Sequence, residues 1–192
     1  MSLVLSNDFM VKRNILLNDG MTWPNANRYF HEGVVSYFDS IGALLDISDV
    51  VFVDFQLSNL FALLEQKWVL YFVGVRIILI TDSHLLPLAN YYKGMFNHVD
   101  LVIQVTGTSK SFFNKLEHVM SGGEALSSSN DSLSSRDIYL LRKSLHGMTI
   151  RDIADKLQLS PKGVYTMRHR VLQKMGLTRM KDIYMQTANS YR

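Results

Sequence analysis

Three short apolar runs punctuate the first half of the chain. Asp49-Val-Val-Phe-Val-Asp-Phe55 is β-branched and aromatic, Arg76-Ile-Ile-Leu-Ile-Thr-Asp82 follows, and Val99-Asp-Leu-Val-Ile-Gln-Val105 is the third. Runs apolar at nearly every position suit strands covered on both faces, as in a parallel sheet. Between them, residues 57–72 and 84–96 read as helices. Another is predicted over 109–120, where Phe112, Phe113, Leu116 and Val119–Met120 repeat at helical spacing. Residues 29–41 predict an amphipathic helix, and the first strand is either Asn14–Asp19 or Ser2–Leu5. Strands alternating with helices predict an α/β domain built on a parallel sheet.

Past residue 120 the period changes. Ser121 to Ser132 is rich in Ser and Gly and nearly free of large apolar residues, so it reads as a flexible linker. Downstream the pattern is helical throughout. Ser134 with Asp137 three residues on forms an approximate capping box, and Ile138, Leu141 and Leu145 make an apolar stripe that stops before Gly147. Thr149 caps a second helix with Ile150, Ile153, Ala154 and Leu157 on its core face. Ser160 caps a third, and Pro161 takes the first helical position, where its missing N–H costs nothing. At about 100° per residue, Val164, Met167, Val171, Leu172 and Met175 fall within a sector of about 140°. Lys162, Tyr165, Thr166, His169, Arg170 and Gln173 lie on or near the opposite face. Short capped helix, short turn and Pro-started helix form a helix-turn-helix, whose outer polar face suits a major groove. The predicted organisation is a domain over 1–120, a linker over 121–132 and an all-α domain of four helices over 133–192.

Charge follows the same boundary. Residues 133–192 carry 12 Lys+Arg and 4 Asp, a net +8, whereas the preceding 132 residues carry 8 Lys+Arg and 13 Asp+Glu, a net −5. A basic module on an acidic body points to a polyanionic partner, here double-stranded DNA.

Several chemistries drop out. The chain has no cysteine, so disulfides, thiol catalysis and cysteine-based zinc sites are excluded. Histidines 31, 84, 98, 118, 146 and 169 show no metal-ligand spacing, and GxSxG, P-loop and GxGxxG motifs are absent. Tyr91, Tyr92 and Phe96 read as core rather than as a ligand cage. The longest apolar stretch, Trp68–Ile80, has 13 residues and contains Arg76, short of the roughly 20 needed to span a membrane. No secretory signal opens the chain. A cytoplasmic, non-enzymatic protein without cofactor, metal or membrane contact is expected.

Leu133-Ser-Ser-Arg-Asp, Gly147-Met-Thr-Ile-Arg-Asp-Ile-Ala-Asp-Lys-Leu, Leu159-Ser-Pro-Lys-Gly-Val-Tyr-Thr and Lys174-Met-Gly-Leu resemble the LuxR/FixJ (NarL-type) DNA-binding domain over residues 133–184. The resemblance implies base contacts from Tyr165, Thr166 and His169, and phosphate contacts from Lys162, Arg170 and Lys174. Ser160 and Thr149 would add phosphate contacts at helix termini. It further implies a dimer, formed with a second copy or with another regulator, through a fourth helix around Lys181–Ala188. Met167 departs from the histidine frequent at its position, and Arg168 lies near the core face where an apolar residue is usual.

The first 120 residues resemble a degenerate receiver domain. By that resemblance Asp54, at a strand end, corresponds to a phosphoacceptor and Thr81 to the switch hydroxyl. The Mg²⁺-binding acid pair is reduced to one carboxylate, in Asn18-Asp19 or Asn7-Asp8. Gln104-Val105 stands where a lysine is expected, Lys110 falling inside the next helix. Only about 20 residues separate Gly33-Val34 from Asp54, too few for the strand and helix of a full receiver. With Trp23-Pro24 and Tyr29-Phe30-His-Glu-Gly33, this module is similar to atypical enterobacterial regulators of fimbriae and capsule. The expectation is a phosphorylation-independent, sequence-specific transcription regulator. Two alternatives stand beside it: a response regulator controlled through Asp54, and an interaction protein that acts by heterodimerising with another regulator.

Overall fold

The computed structural model describes residues 22–24, 27–41, 50–105, 114, 117–118 and 131–188. Their elements run β1 (Thr22–Trp23), α1 (Arg28–Ile41), β2 (Val50–Phe55), α2 (Leu60–Leu64), β3 (Arg76–Thr81), α3 (Leu86–Met95), β4 (Val99–Gln104), α4 (Ser135–Leu145), α5 (Ile150–Leu157), α6 (Pro161–Lys174) and α7 (Met180–Ala188). The first half is an α/β domain and the second is all-α with four helices, as the alternation and its loss at the linker predicted.

The four strands form one parallel sheet in the order β1-β2-β3-β4. β2 is buried at every position and β3 at all but its first, which is why both read as continuous apolar runs. β4 lies at the sheet edge, and there burial alternates. The three apolar runs lie where the pattern placed them. β1 was not anticipated: two residues carry no periodicity, and only pairing with Phe52 and Val53 makes Thr22 and Trp23 a strand. Both candidates for the first strand, 2–5 and 14–19, lie outside the described residues, as do most of the helix predicted over 109–120 and linker residues 121–130.

The helix predicted over 57–72 is divided. A 3₁₀ turn at Leu57–Asn59 leads into α2, and a second 3₁₀ stretch covers Gln66–Phe72. The break has its cause at the Leu63 carbonyl. The carbonyl of Leu63 accepts the Trp68 indole N–H at 3.0 Å and the Tyr92 hydroxyl, so side chains take the bonding capacity a continuing helix would use. Trp68 in turn stacks on Trp23 at 4.9 Å between ring centroids and lies 5.1 Å from Tyr92. Burial raises the Tyr92 phenol well above its ordinary value. Tyr91 and Tyr92 are buried and Phe96 half-buried against them, core residues as expected.

One apolar cluster spans both halves of the molecule. α4 packs on α2, and α7 packs on the Leu57–Asn59 turn. Segment 131–133 is fixed along the seam. Asp131 O accepts from Asn90 Nδ2 at 3.0 Å, and Leu133 N donates to Pro87 O at 3.0 Å. Burying this seam removes apolar surface from water at roughly 25 cal/mol per Å². None of the described helices is long and apolar enough to cross a membrane.

Candidate nucleic-acid interface

The helical module is assembled from capped pieces. Ser134 Oγ accepts from Asp137 N, while Asp137 Oδ2 accepts from Ser134 N, so the capping box expected at α4 is complete. Gly147, at φ 78°, turns the chain out of α4. Thr149 Oγ1 accepts from Asp152 N to open α5, which ends at Gln158 in the left-handed region. Ser160 Oγ accepts from Gly163 N at 3.1 Å, with Pro161 at the first position of α6. Each cap satisfies an N–H that the first helical turn leaves without a partner.

α6 then divides its side chains by face. Val164, Met167, Val171, Leu172 and Met175 are buried, whereas Lys162, Tyr165, Thr166, His169 and Arg170 are exposed. Met167 therefore fills core volume at its position. Arg168, half-buried, lies with its guanidinium 4.9 Å from the centroid of the Tyr165 ring. That cation–π contact accounts for an arginine so near the core face: the ring covers the charge, and the charge braces a tyrosine that is still 52% exposed.

Hydrogen bonds distinguish the other side chains. Arg170 donates to Asp137 Oδ1 at 3.1 Å, and Asp137 is only 1% exposed, so a buried carboxylate aims an exposed guanidinium. Thr166 donates its hydroxyl proton to Lys162 O at 3.0 Å, which leaves lone pairs to accept with. Thr149 spends its proton on Asp152 Oδ2 at 2.7 Å. Ser160 Oγ is an acceptor in its cap and keeps its proton for another oxygen. Lys174 donates to Ser132 O at 2.6 Å. Of the side chains expected to meet phosphate, Thr149, Lys174 and Arg170 are thus engaged within the chain, although Lys174 and Arg170 each keep further N–H groups to donate.

An open groove of about 530 Å³ brings several of these groups together at the start of α6. Ser160, Lys162, Thr166 and Arg170 line it, joined by Ser134 and Arg136 from the start of α4. Arg136 was not among the expected contacts. Its position in Leu133-Ser-Ser-Arg-Asp gives it only a place on another helix, and packing brings it to this groove. Positive groups around the N-terminal end of a helix favour an oxyanion there.

The strand-end site contrasts in every respect. Asp54 is fully buried, and its Oδ2 accepts from Asn27 Nδ2 at 2.9 Å and from Asn59 Nδ2 at 3.2 Å. Asn27 also caps α1 through Phe30 N, and Asn59 also donates to Asp54 O at 2.9 Å. Among the described residues, Oδ1 has no hydrogen-bond partner. Burial pushes the Asp54 carboxyl above its usual range and Asp82 adds to this, while the two amides pull the other way. Thr81, on β3, is buried and donates to Asp82 O at 3.1 Å. The described residues contain no group of three or more metal-ligating side chains, and both candidates for the acid pair, Asn18-Asp19 and Asn7-Asp8, lie outside them.

Residues 9–120 match the EcpR N-terminal domain family, which covers more than half of the chain. The chain belongs to that family. Residues 131–187 match the bacterial regulatory proteins of the luxR family, so the second half is a luxR-type helix-turn-helix, a DNA-binding regulatory module. The uncharacterised YqeH protein of Escherichia coli strain K12 is 24% identical over 156 residues, covering 80% of this chain and 74% of that protein. Two solved structures share its overall span at low identity. One, of two RcsB dimers bound to two parallel DNAs, is 15% identical with a TM-score of 0.40 and covers 88% of this chain and 96% of that one. The other, the response regulator ChrA of a heme-sensing two-component system, is 14% identical with a TM-score of 0.30 and covers 86% and 94%.

Proposed function

We propose that the chain is a sequence-specific DNA-binding transcription regulator that works without phosphorylation of Asp54, with domains at 1–120 and 133–192 joined through 121–132. The observation that carries this reading is the exposed face of α6. Tyr165, Thr166 and His169 would meet base edges, and Lys162, Arg170 and Ser160 would flank them on phosphate. Arg136 extends the phosphate-facing set, whereas Thr149 would have to exchange its internal hydrogen bond for DNA, and Lys174 would donate an N–H not used on Ser132 O.

Independence from phosphorylation is supported by the Asp54 surroundings. Two neutral amides occupy the carboxylate's partnered oxygen, and burial disfavours its charged form. A phosphoacceptor needs the ionised form and a bound divalent cation, which takes several oxygen ligands. Incubation with acetyl phosphate and Mg²⁺ tests this directly. No adduct is expected, and a stable one lost in Asp54→Ala would restore the response-regulator reading.

DNA binding itself is tested by capturing bound fragments across a genome and sequencing them. An enriched motif is expected, with fimbrial and other surface-structure genes as the target class that the sequence resemblance implies. A dimer of two copies, or one with another regulator, would use α7. The competing reading, an interaction protein that titrates another regulator, gains if purified protein shows no salt-sensitive DNA binding and Thr166→Ala with His169→Ala leaves regulation unchanged.

A further inference from the structure

The reading helix ends against the other domain. Gly176 closes α6 at φ 63°, and Gly176 N and Leu177 N donate to Gln173 O at 2.9 Å and Leu172 O at 2.8 Å. A carbonyl at a helix C-terminus needs a donor from elsewhere. For Met175 O that donor comes from the α/β domain: His84 Nδ1 lies 2.8 Å away. A carbonyl can only accept, so Nδ1 carries the proton. The ring also rests against Gly176, where an added Cβ would come within 3.5 Å of Nδ1.

His84 is itself held. Asp82 Oδ1 accepts from His84 N at 2.8 Å and from Leu85 N at 3.0 Å, tying the loop to the end of β3. Beside it, Lys174 reaches Ser132 O in the segment that Asn90 and Pro87 fasten to α3. The end of α6 is therefore gripped from the α/β domain and from the seam. Lys162, Tyr165, Thr166 and His169 take no part in these contacts and remain exposed.

We propose that His84 is a positioning residue for DNA reading, and that the two domains engage DNA as one docked body rather than after separating. This rests on the DNA-binding function proposed above. A helix already fixed at its C-terminal end loses less freedom on entering a groove, so bracing it raises affinity. A donor at that end also meets the negative pole of the helix.

The absence of cysteine makes the test selective, since Glu65→Cys with His146→Cys, at side chains that approach to 3.7 Å between the two domains, would supply the only thiols in the chain for a short bis-methanethiosulfonate bridge that a reductant removes. The full chain is titrated with a labelled mixed-sequence DNA duplex, with folding checked by circular dichroism. The cross-linked protein is expected to bind within about threefold of its reduced form, because binding needs no separation. His84→Ala is expected to weaken binding about three- to tenfold with the salt dependence unchanged, since no phosphate contact is lost. His84→Asn, whose amide can donate to the same carbonyl, is expected to recover most of it. Loss of binding on cross-linking that a reductant reverses overturns the proposal. So does tighter binding by His84→Ala, or failure of His84→Asn to recover. Absence of salt-sensitive binding by the wild-type chain defeats the DNA reading and this inference together. Wild-type binding with any of the three contrary results defeats the docking inference alone.

Discussion

The two polar constellations of this molecule use similar chemistry in opposite ways. At the end of β2, Asp54 is enclosed, and the amides of Asn27 and Asn59 point inward to it. On α6, Lys162, Tyr165, Thr166 and His169 point outward. Arg170 keeps its guanidinium at the surface while one N–H is anchored on buried Asp137. Polar groups that bond to one another inside a fold are part of its structure, and at Asp54 this holds for Oδ2, while Oδ1 is buried without a partner among the described residues. Polar groups that caps and packing hold at the surface are available for a partner. On the function proposed here, the strand-end site is scaffold and the exposed face of α6 is interface.

The largest test of this contrast is in the shared core. Trp68→Ala removes the ring that touches Trp23, Phe55 and Tyr92, and should cost about 3–5 kcal/mol of stability in urea unfolding. Next comes the reading face, where stability should hardly move. His169→Ala should cost about 1–3 kcal/mol in affinity for the captured operator and relax preference at one base pair, with the unfolding midpoint unchanged. If both stability and affinity fell together, the face would be structural after all. Lys162→Ala is expected to act more evenly, weakening binding to every sequence and reducing the slope of log affinity against log salt by about 0.9.

The smallest effect is expected at Asp54, and its sign is informative. Burial raises the folded carboxyl's pKa, so between the ordinary and raised values the folded state holds more proton than the unfolded one. The stability this contributes is complete below the ordinary carboxylate range and is lost as pH rises through the raised value. Asp54→Asn removes that dependence. The variant should be more stable than wild type at neutral pH, with the gap closing as pH falls through the carboxylate range. A variant less stable than wild type at neutral pH would mean that the bonds from Asn27 and Asn59 to the ionised carboxylate outweigh the cost of burying it.

Local order was legible wherever it depends on near neighbours. The three apolar runs, the caps at Ser134, Thr149 and Ser160 and the two faces of α6 each follow from residues within a few positions of one another. The interruption of the 57–72 helix was not legible, because Tyr92 reaches Leu63 across 29 positions. Arg136 joins the groove through helix packing, and His84 meets Met175 across 91 positions. As a lone histidine after an apolar run, His84 carried no signal of its own.

From the order of its residues alone, then, this chain determines two classes of architecture, a charge boundary between them and one helix with an outward polar face. Periodicity, capping and net charge are local or additive properties, and these survive in a linear string. Only the tertiary structure decided that Asp54 is enclosed by amides, that Arg170 is steered by Asp137, and that the end of α6 rests on His84. Those outcomes depend on which distant groups packing brings within hydrogen-bond reach, and no spacing along the chain encodes them.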